Sequence, residues 1–458
     1  MHYLRILFLL LIPISSWTQI SGDWHAMLEV GPTQIPLDIH IDFENNVLTL
    51  DSPDQQVMGK NVDTLVLTDS TVYFEIRAWK VRYTGKYDQK KELINGEFFQ
   101  AGVTFPLNFG RDEIEKKEIK RPQNPPDAVE YEVLEVSFKN KKGKFELHGT
   151  LTIPKGDGPF PAVVLASGTG QQDRNEEMIK HKPFHVLAHH LTSNGVMVLR
   201  FDDRFFGESQ PKFFNSTMED FASDVSSAID FLSKQKKVDK DKLGVVGHSE
   251  GGIHGPIAAS QNKKIKFIVS MAGVGVRGID LLIRQRRLLL GVEGVTLEST
   301  FVKDSLMLLK IYNEIKSEDG LKYEETQQIV KDFFDNLTEE EIKEFGDSPS
   351  IVKQQIPQFF AMKAIQSFLE YDPKLYWDQV QIPVLALNGS RDIQVEPTQN
   401  LTGFKSLFNH PKCETYLFDG LNHLFQKCES CTISEYGSIE TTIEPEVLDK
   451  ITSWIKGL

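Results

Sequence analysis

The sequence is poor in cysteine and has more acidic than basic residues. Its 458 residues include three cysteines, and 51 Lys and Arg stand against 65 Asp and Glu, which gives a formal net charge of −14. So few cysteines exclude a disulfide-rich scaffold. Acidic charge that is dispersed along the chain argues against nucleic acid and anionic membranes as partners. With 40% hydrophobic residues, the chain has enough apolar side chains for a sizeable core.

Long apolar runs are also lacking beyond the N-terminus, so the sequence predicts no membrane span. Residues 6–14 are a compact apolar run after a short basic segment, and Ser15, Ser16 and Thr18 follow it. This pattern is typical of a secretory signal peptide, and we assign it to residues 1–18. A buried N-terminal strand is the alternative. The signal peptide predicts export, to the periplasm or out of the cell.

The three cysteines lie late in the chain, at Cys413, Cys428 and Cys431. In an exported protein they allow one disulfide and leave one thiol. Cys428 and Cys431 have the spacing of a redox motif, but no thioredoxin-like pattern precedes them. We therefore interpret the pair as a structural bridge or as incidental. Nearby histidines also allow a metal site to be considered, but His423 has a better role, and no metal is predicted.

The chain length suggests two domains or one large domain with an insertion. Residues 19–120 contain short β-rich runs separated by turn residues, which predicts a small all-β sandwich or barrel. A charged and Pro-rich stretch over about 110–127 has the composition of a linker. Apolar strand patterns and helix patterns alternate over 127–458, and this predicts an α/β domain with a mostly parallel sheet flanked by helices. Its first two strands, near 131–138 and 145–153, are expected to form an antiparallel pair.

One interval of the α/β domain breaks the alternation. Residues of about 273–376 are amphipathic, rich in Glu and Lys, and contain no good strand. Because the insertion falls between two late strands, we favour a helical cap over the catalytic end of the sheet. The alternative is a solvated helical subdomain that does not contact substrate.

A Gly-x-Ser-x-Gly sequence places Ser249 between an apolar strand and a helix pattern. This is the nucleophile elbow, in which a sharp turn lifts the serine out of the sheet. A serine hydroxyl needs a histidine base that a carboxylate orients, and in this fold the order along the chain is Ser, Asp or Glu, then His. Asp392 and His423 follow the last two predicted strands on Gly-containing loops. Position and order predict a triad of Ser249, Asp392 and His423.

The reaction also needs donors for the negative charge that develops on the substrate oxygen. One donor is expected to be the backbone N–H of Glu250, directly after the nucleophile. The other is expected from the Gly-rich loop after the strand at 162–166, with Thr169 first and Gly170 next. A phosphate-binding interpretation of this loop lacks the residues that such motifs require.

Three segments carry a resemblance to a known family: Ser-Gly-Thr-Gly-Gln-Gln-Asp-Arg at 167–174, Arg-Phe-Asp-Asp-Arg at 200–204, and Gly-His-Ser-Glu-Gly at 247–251. With them the chain resembles the bacterial α/β-hydrolase esterases, close to the dienelactone-hydrolase, acyl-CoA-thioesterase and prolyl-oligopeptidase-like branches. The resemblance covers residues 127–458 and implies a carboxylic-ester hydrolase without a cofactor. Asp173 and Arg174 are expected to fix the oxyanion loop by an ion pair.

The sequence thus predicts an exported serine hydrolase that cleaves carboxylic esters of small molecules through an acyl-enzyme. A thioesterase or a peptidase could use the same triad, and a non-catalytic binding protein could share the fold. Four arginines at the start of the predicted cap could receive an acidic substrate or could be solvated helix charges: Arg277, Arg284, Arg286 and Arg287. The oligomeric state is left open.

Overall fold

The structure is a computed structural model, and it describes residues 20–30, 33–55, 57–100, 103–114, 119–209, 216–317, 321–345 and 349–458. The predicted signal peptide, residues 1–18, lies outside the described residues. The chain divides into two compact units, Met1–Glu118 and Ile119–Leu458. A search of the described ranges finds no helix with the length and apolarity needed to cross a membrane.

The first unit contains nine strands in its described residues. They are β1 (Gly22–Val30), β2 (Thr33–Asp42), β3 (Val47–Ser52), β4 (Val57–Asn61), β5 (Thr64–Thr68), β6 (Thr71–Ile76), β7 (Val81–Asp88), β8 (Leu93–Gln100) and β9 (Val103–Gly110). Short 3-10 turns, Pro53–Gln55 and Arg77–Trp79, follow β3 and β6.

All nine strands belong to one antiparallel sheet in the order β4-β3-β2-β1-β9-β8-β7-β6-β5. Buried residues alternate with less buried ones along β6, as expected for a sheet with one face against a core. That core includes the fully buried side chains of Trp24, Phe74 and Tyr83. The described strands thus form an all-β unit with one sheet, and its two end strands, β4 and β5, are not paired with each other in these residues.

The second unit contains eight strands and twelve helices in its described residues. The strands are β10 (Glu132–Asn140), β11 (Phe145–Ile153), β12 (Phe160–Ala166), β13 (Met197–Phe201), β14 (Val238–His248), β15 (Phe267–Met271), β16 (Val384–Gly389) and β17 (Glu414–Phe418). The helices are α1 (Pro183–Ser193), α2 (Met218–Leu232), α3 (Gly251–Gln261), α4 (Gly278–Val292), α5 (Glu298–Ser317), α6 (Tyr323–Asp335), α7 (Glu339–Glu344), α8 (Pro349–Ala361), α9 (Lys363–Glu370), α10 (Lys374–Trp377), α11 (Pro397–Leu407) and α12 (Pro445–Lys456).

The strands of this unit form one sheet in the order β10-β11-β13-β12-β14-β15-β16-β17. The pair β10 and β11 is antiparallel, as predicted, and β11 is also antiparallel to β13, whereas β12 to β17 pair with one another in parallel. Helices α2 and α3 contribute to a core on one face, and α1 and α12 to a core on the other. Because both faces are covered, strands such as β13 and β15 are buried along their whole length. The predicted α/β-hydrolase fold is confirmed.

The insertion between β15 and β16 contains the helices α4 to α10 and no strand in its described residues, as predicted. Its helices pack around a core of their own that includes Leu308, Ile311 and Val330. The cap is therefore a subdomain with its own apolar interior rather than a set of isolated surface helices.

Two tight turns set the bounds of neighbouring elements. Helix α1 begins only at Pro183, because Met178 and His181 close a tight turn and Ile179 has a left-handed backbone with φ 50°. Strands β6 and β7 are separated by the 3-10 turn after β6. Lys80 ends that turn with φ 51°, which a continuous strand cannot accommodate.

Candidate active site

Ser249 stands at the turn from β14 to α3 with a left-handed backbone, φ 52°. Its N–H donates to the Met271 carbonyl at the end of β15, 2.9 Å away, which ties the turn to the sheet. A Cβ at Gly247 would lie 2.2 Å from the Gly251 carbonyl oxygen, and one at Gly251 would lie 2.1 Å from that of Ala166. The strained serine and the glycines beside it have the form of a nucleophile elbow.

Asp392 and His423 lie on the loops that follow β16 and β17, and their side chains meet. His423 Nδ1 is 2.8 Å from Asp392 Oδ2, and both residues are buried. The other carboxylate oxygen of Asp392 accepts from the N–H groups of Gln394 and Val395, at 2.8 and 2.9 Å. The two backbone bonds fix the Asp392 carboxylate, and its contact with Nδ1 occupies that nitrogen of the His423 ring. Nε2 of His423 is then the nitrogen that can take a proton from a serine hydroxyl.

The Gly-rich loop after β12 lies beside the serine. Among the described residues, the Gly168 N–H already donates to the Glu176 carboxylate, at 2.7 Å, whereas the N–H groups of Thr169, Gly170 and Glu250 donate to no protein group. Thr169 and Glu250 line the same cavity as Ser249, and the Thr169 hydroxyl donates to Glu250 Oε2 at 3.0 Å. Gly170, with φ 102°, does not line that cavity. The amides of Thr169 and Glu250 therefore fit an oxyanion hole best.

Two aspartates after β13, Asp202 and Asp203, anchor this loop. This role was not identified from the sequence. Asp203 accepts from the Ser167 hydroxyl at 2.7 Å and from the Gln172 N–H at 3.1 Å. Burial raises its pKa well above the ordinary value for aspartate, although both of these bonds act to lower it. Asp202 pairs with Arg174 at 2.7 Å.

The expected ion pair between Asp173 and Arg174 is thus wrong. Asp173 accepts from the N–H groups of Asn175 and Glu177 in its own turn, and Arg174 takes a more distant acid as its partner. Adjacent residues in a turn project in different directions, and Asp173 satisfies local amides at shorter range. The signal that could have identified Asp202 is its place at the carboxyl end of a buried strand.

The cavity beside Ser249 has a volume of about 230 Å³, and cap residues form much of its wall. Its apolar lining comes from α4, α8 and α9 of the cap and from the loops after β15 and β16: Val274, Leu281, Leu282, Phe359, Ile365, Phe368 and Val395. The polar lining, apart from the serine, is Thr169, Glu250, Gln285 and Gln394. Helices of the cap therefore shape the space next to the candidate nucleophile.

The arginines at the start of the cap do not line this cavity. Each has a carboxylate partner: Arg277 with Asp280, Arg284 with Glu396, Arg286 with Asp304 and Arg287 with Glu298. Pairing to protein acids leaves these side chains poorly suited to receive an acidic substrate. They correspond to the alternative of ordinary helix charges.

The cysteines form one bridge. Cys428 and Cys431 are joined by a disulfide, and Cys413 is a free thiol. Over the described part of the chain, no three His, Cys, Asp or Glu side chains are grouped so that they could hold a metal ion. The pair is therefore a structural bridge in a loop that follows His423.

Comparisons with known proteins agree with this architecture. Esterase EstD of Thermotoga maritima is 26% identical over 384 residues, which cover 80% of this chain and 81% of the relative. The matched share of this chain is longer than its second unit, so the match extends into the first unit. Thiohydrolase aneE of Aspergillus aculeatus is 30% identical over 146 residues, 32% of this chain and 43% of the relative.

A solved esterase structure from Pyrococcus furiosus is 17% identical and covers 73% of this chain and 98% of its own, with a TM-score of 0.43. The family model described as alpha/beta hydrolase fold matches residues 161–427, which is more than half of the chain. The match includes the elbow at Ser249 and the loops of Asp392 and His423. The chain therefore belongs to the alpha/beta hydrolase fold family.

Proposed function

We propose that the protein is a serine hydrolase that cleaves carboxylic esters of small molecules through an acyl-enzyme. The observation that carries the proposal is the buried Asp392–His423 pair, on loops next to the elbow that presents Ser249 to an apolar cavity. The similarity to an esterase over most of both chains supports the same reaction class.

In this mechanism the Ser249 hydroxyl attacks the ester carbonyl and His423 Nε2 takes its proton. Asp392 holds the imidazolium that forms, and the N–H groups of Thr169 and Glu250 receive the negative charge on the carbonyl oxygen. His423 then gives its proton to the leaving alcohol, and the acyl group stays on Ser249. Water, deprotonated by His423, releases the acid and restores the serine.

The acyl part of the substrate is expected to be apolar and uncharged. The cavity wall is mostly aliphatic and aromatic, and among the described residues that line it Glu250 is the one with an acidic or basic side chain. An anionic acyl group would meet this carboxylate without a cation in the lining to balance it.

Hydrolysis of a series of p-nitrophenyl esters of increasing acyl length tests the proposal. Wild-type protein should turn over part of the series, and Ser249→Ala should abolish that turnover. Ser260→Ala is the matched control, because Ser260 lies at the far end of α3 and its hydroxyl donates to the Ile257 carbonyl of the same helix. Turnover that survives Ser249→Ala would exclude the assigned nucleophile.

A thioesterase is the second candidate, and the similarity to a thiohydrolase favours it over a peptidase. An oxygen ester and a thioester with the same acyl group distinguish the two. The ratio of kcat/KM for the thioester to kcat/KM for the ester is compared with the ratio of their uncatalysed hydrolysis rates. A larger ratio for the enzyme would select the thioesterase. Equal sensitivity of both substrates to Ser249→Ala would show that one site serves them.

Export is part of the proposal and rests on the apolar segment at 6–14. The disulfide between Cys428 and Cys431 fits an oxidising compartment, where such bonds persist. N-terminal sequencing of protein purified from its native host should begin close to residue 19. A chain that begins at Met1 and stays with the reduced cell contents would contradict export.

A further inference from the structure

A buried acid–base pair lies directly behind the catalytic groups. Glu176, in the loop after β12, is 3% exposed, and His248, the residue before Ser249, is 6% exposed. Glu176 Oε1 lies 3.0 Å from His248 Nδ1 and also accepts the Gly168 N–H at 2.7 Å. The proposed chemistry uses neither side chain directly, so their burial calls for another explanation.

The histidine of this pair continues to the loop of the catalytic base. His248 Nε2 lies 3.2 Å from the backbone carbonyl oxygen of His423, and the centroids of the two imidazole rings are 4.9 Å apart. One chain of contacts therefore joins three segments: the Gly-rich loop at Gly168, the elbow at His248, and the histidine loop at His423. Gly168 and His248 directly precede Thr169 and Ser249 in the chain, and the third contact is made by His423 itself. Each contact is therefore adjacent to a residue with a proposed catalytic role.

The hydrogen-bond geometry connects the pair to its neighbours on both sides. A carbonyl oxygen only accepts, so His248 Nε2 carries a proton and donates to the His423 carbonyl. Glu176 Oε1 accepts the Gly168 N–H and lies within hydrogen-bond distance of His248 Nδ1. Burial by itself would lower the pKa of His248, but Glu176 and the His423 carbonyl outweigh burial and raise it. The contacts of His248 on both sides therefore hold its ring in place.

The space around the pair leaves little freedom. A Cβ at Gly168 would lie 3.2 Å from Glu176 Oε1 and 3.3 Å from the Ser249 Cβ, so the loop, the acid and the nucleophile are in close contact. Within the described residues, Oε2 of Glu176 is buried and makes no hydrogen bond. The contacts that the Glu176 carboxylate makes to described residues therefore pass through Oε1, and a change there affects the Gly-rich loop and His248 together.

We propose that Glu176 is a positioning residue that, through Gly168 and His248, holds the oxyanion loop, the serine elbow and the His423 loop in one arrangement. This inference rests on the proposed roles of Ser249, Asp392 and His423. Its consequence is specific: losing the pair should misplace groups that act in the transition state and should leave the cavity that binds the acyl group intact.

Glu176→Gln tests the proposal, and Glu177→Gln is its matched control. Glu177 is the next residue of the same loop, but it is exposed and faces Lys182 at 3.5 Å. With a p-nitrophenyl ester that the wild type cleaves, Glu176→Gln should lower kcat and kcat/KM together, on the order of tenfold to a hundredfold. KM should stay within about twofold, and Glu177→Gln should match the wild type.

His248→Asn breaks the same contacts from the other side and should produce the same loss in kcat. If Glu176→Gln shows no cooperative thermal unfolding and is therefore not folded, the kinetics of His248→Asn test the proposal instead. In the double variant the loss should not exceed that of the worse single variant, because the two residues act as one unit. Additive losses, a rise in KM alone, or equality with Glu177→Gln would overturn the proposal.

Failure of this inference can be told apart from failure of the proposed function. If the wild type shows turnover that Ser249→Ala abolishes, while folded Glu176→Gln keeps full kcat, only the positioning role falls. If no ester or thioester is turned over in a Ser249-dependent way, the proposed function is wrong, and the positioning role falls with it.

Discussion

The two units differ in what they bury. In the first unit the core is apolar and aromatic, and Asp51 and Ser52 are its buried polar residues over the described ranges. The second unit buries many charged or titratable side chains, among them Glu176, Asp202, Asp203, Asp224, His248, Glu250, Asp392 and His423. Both units have large cores, so the contrast lies in polar content and not in size.

Buried charge is costly unless it is paired, and removing one partner leaves the other uncompensated. In the second unit most of these groups follow the carboxyl ends of β12, β13, β14, β16 and β17, which is the edge where α/β folds place their ligands. The acids there orient histidines, loops and amides around Ser249. The contrast is therefore between a unit whose buried polar groups gather around Ser249 and a unit whose buried side chains are almost all apolar.

The largest expected difference in kcat is between two variants that each replace a buried acid, one in each unit. Asp392→Asn removes the carboxylate that orients His423 and should lower kcat by on the order of 10⁴, with KM little changed. Asp51→Asn in the first unit should leave kcat within about twofold. Steady-state kinetics of both variants measure the difference. Equal losses in the two variants would contradict the division of roles between the units.

A core substitution in the first unit should lower stability and leave kcat unchanged. Phe74 is fully buried on β6 and stacks on Tyr83, with ring centroids 5.3 Å apart. Phe74→Ala should lower the free energy of unfolding of this unit by about 3–5 kcal/mol and leave kcat unchanged where the protein is folded. Hydrogen exchange of the strand amides together with ester kinetics measures both quantities.

Val66→Ala, on the exposed face of β5, is the control for that change and should affect neither quantity. The similarity to the Thermotoga esterase extends into the first unit, so a contribution of this unit to substrate binding is the main competing idea. A KM that rises in Phe74→Ala under conditions where the unit is folded would support that idea and weaken the contrast.

A smaller effect is expected at the cap wall. Phe359 of α8 lines the cavity next to Ser249 and is 38% exposed, so Phe359→Ala should enlarge the acyl space at little cost in stability. Selectivity between long and short acyl esters, expressed as a ratio of kcat/KM, should shift toward the longer chain by about tenfold. Leu306→Ala, on an exposed part of α5, should leave the ratio unchanged. A ratio that does not respond to Phe359→Ala would place acyl binding elsewhere.

Much of this architecture could be predicted because the signals are local. A buried strand, a turn glycine and a polar residue occur together at Ser249, at Asp392 and at His423, so their places at strand ends could be read from adjacent residues. The catalytic roles themselves stay predictions. In the first unit, β4 is hard to predict from the sequence, because it is a short edge strand with an exposed methionine and no regular alternation.

The groups that support the site could not be predicted because their partners are distant along the chain. Glu176 and His248 are 72 positions apart, and Ser167 and Asp203 are 36 apart. No local pattern identifies which acid of an acid-rich chain reaches a given loop. For Arg174 the neighbouring Asp173 is the expected partner, whereas the observed partners are Asp202, after β13, and Glu135, on β10. Supporting contacts of this kind depend on strand order, which the sequence does not state.

The smallest effect concerns charge on the surface of the first unit. His40 on β2 lies between Asp23 and Asp51, with Nδ1 2.7 Å from Asp23 Oδ1 and Nε2 3.1 Å from Asp51 Oδ2. Hydrogen bonding to Asp23, which outweighs burial, and the further bond to Asp51 raise the pKa of His40. A histidine whose pKa is raised by folding stabilises the protein fully below its unfolded pKa of about 6.5, and this stability is lost as pH rises through the folded pKa.

The stability of the first unit should therefore fall between pH 6 and pH 8 in the wild type, by no more than about 1 kcal/mol because the pair is exposed. His40→Gln should remove this part of the pH dependence, while His25→Gln, which alters the neighbouring pair with Asp38, should retain it. Hydrogen exchange of the β2 amides at both pH values measures the change. A difference between wild type and His40→Gln that is the same at pH 6 and pH 8 would show that His40 acts through packing. The titration of His40 would then add nothing to the stability of the first unit, and the contrast with the charge-burying second unit would be sharper still.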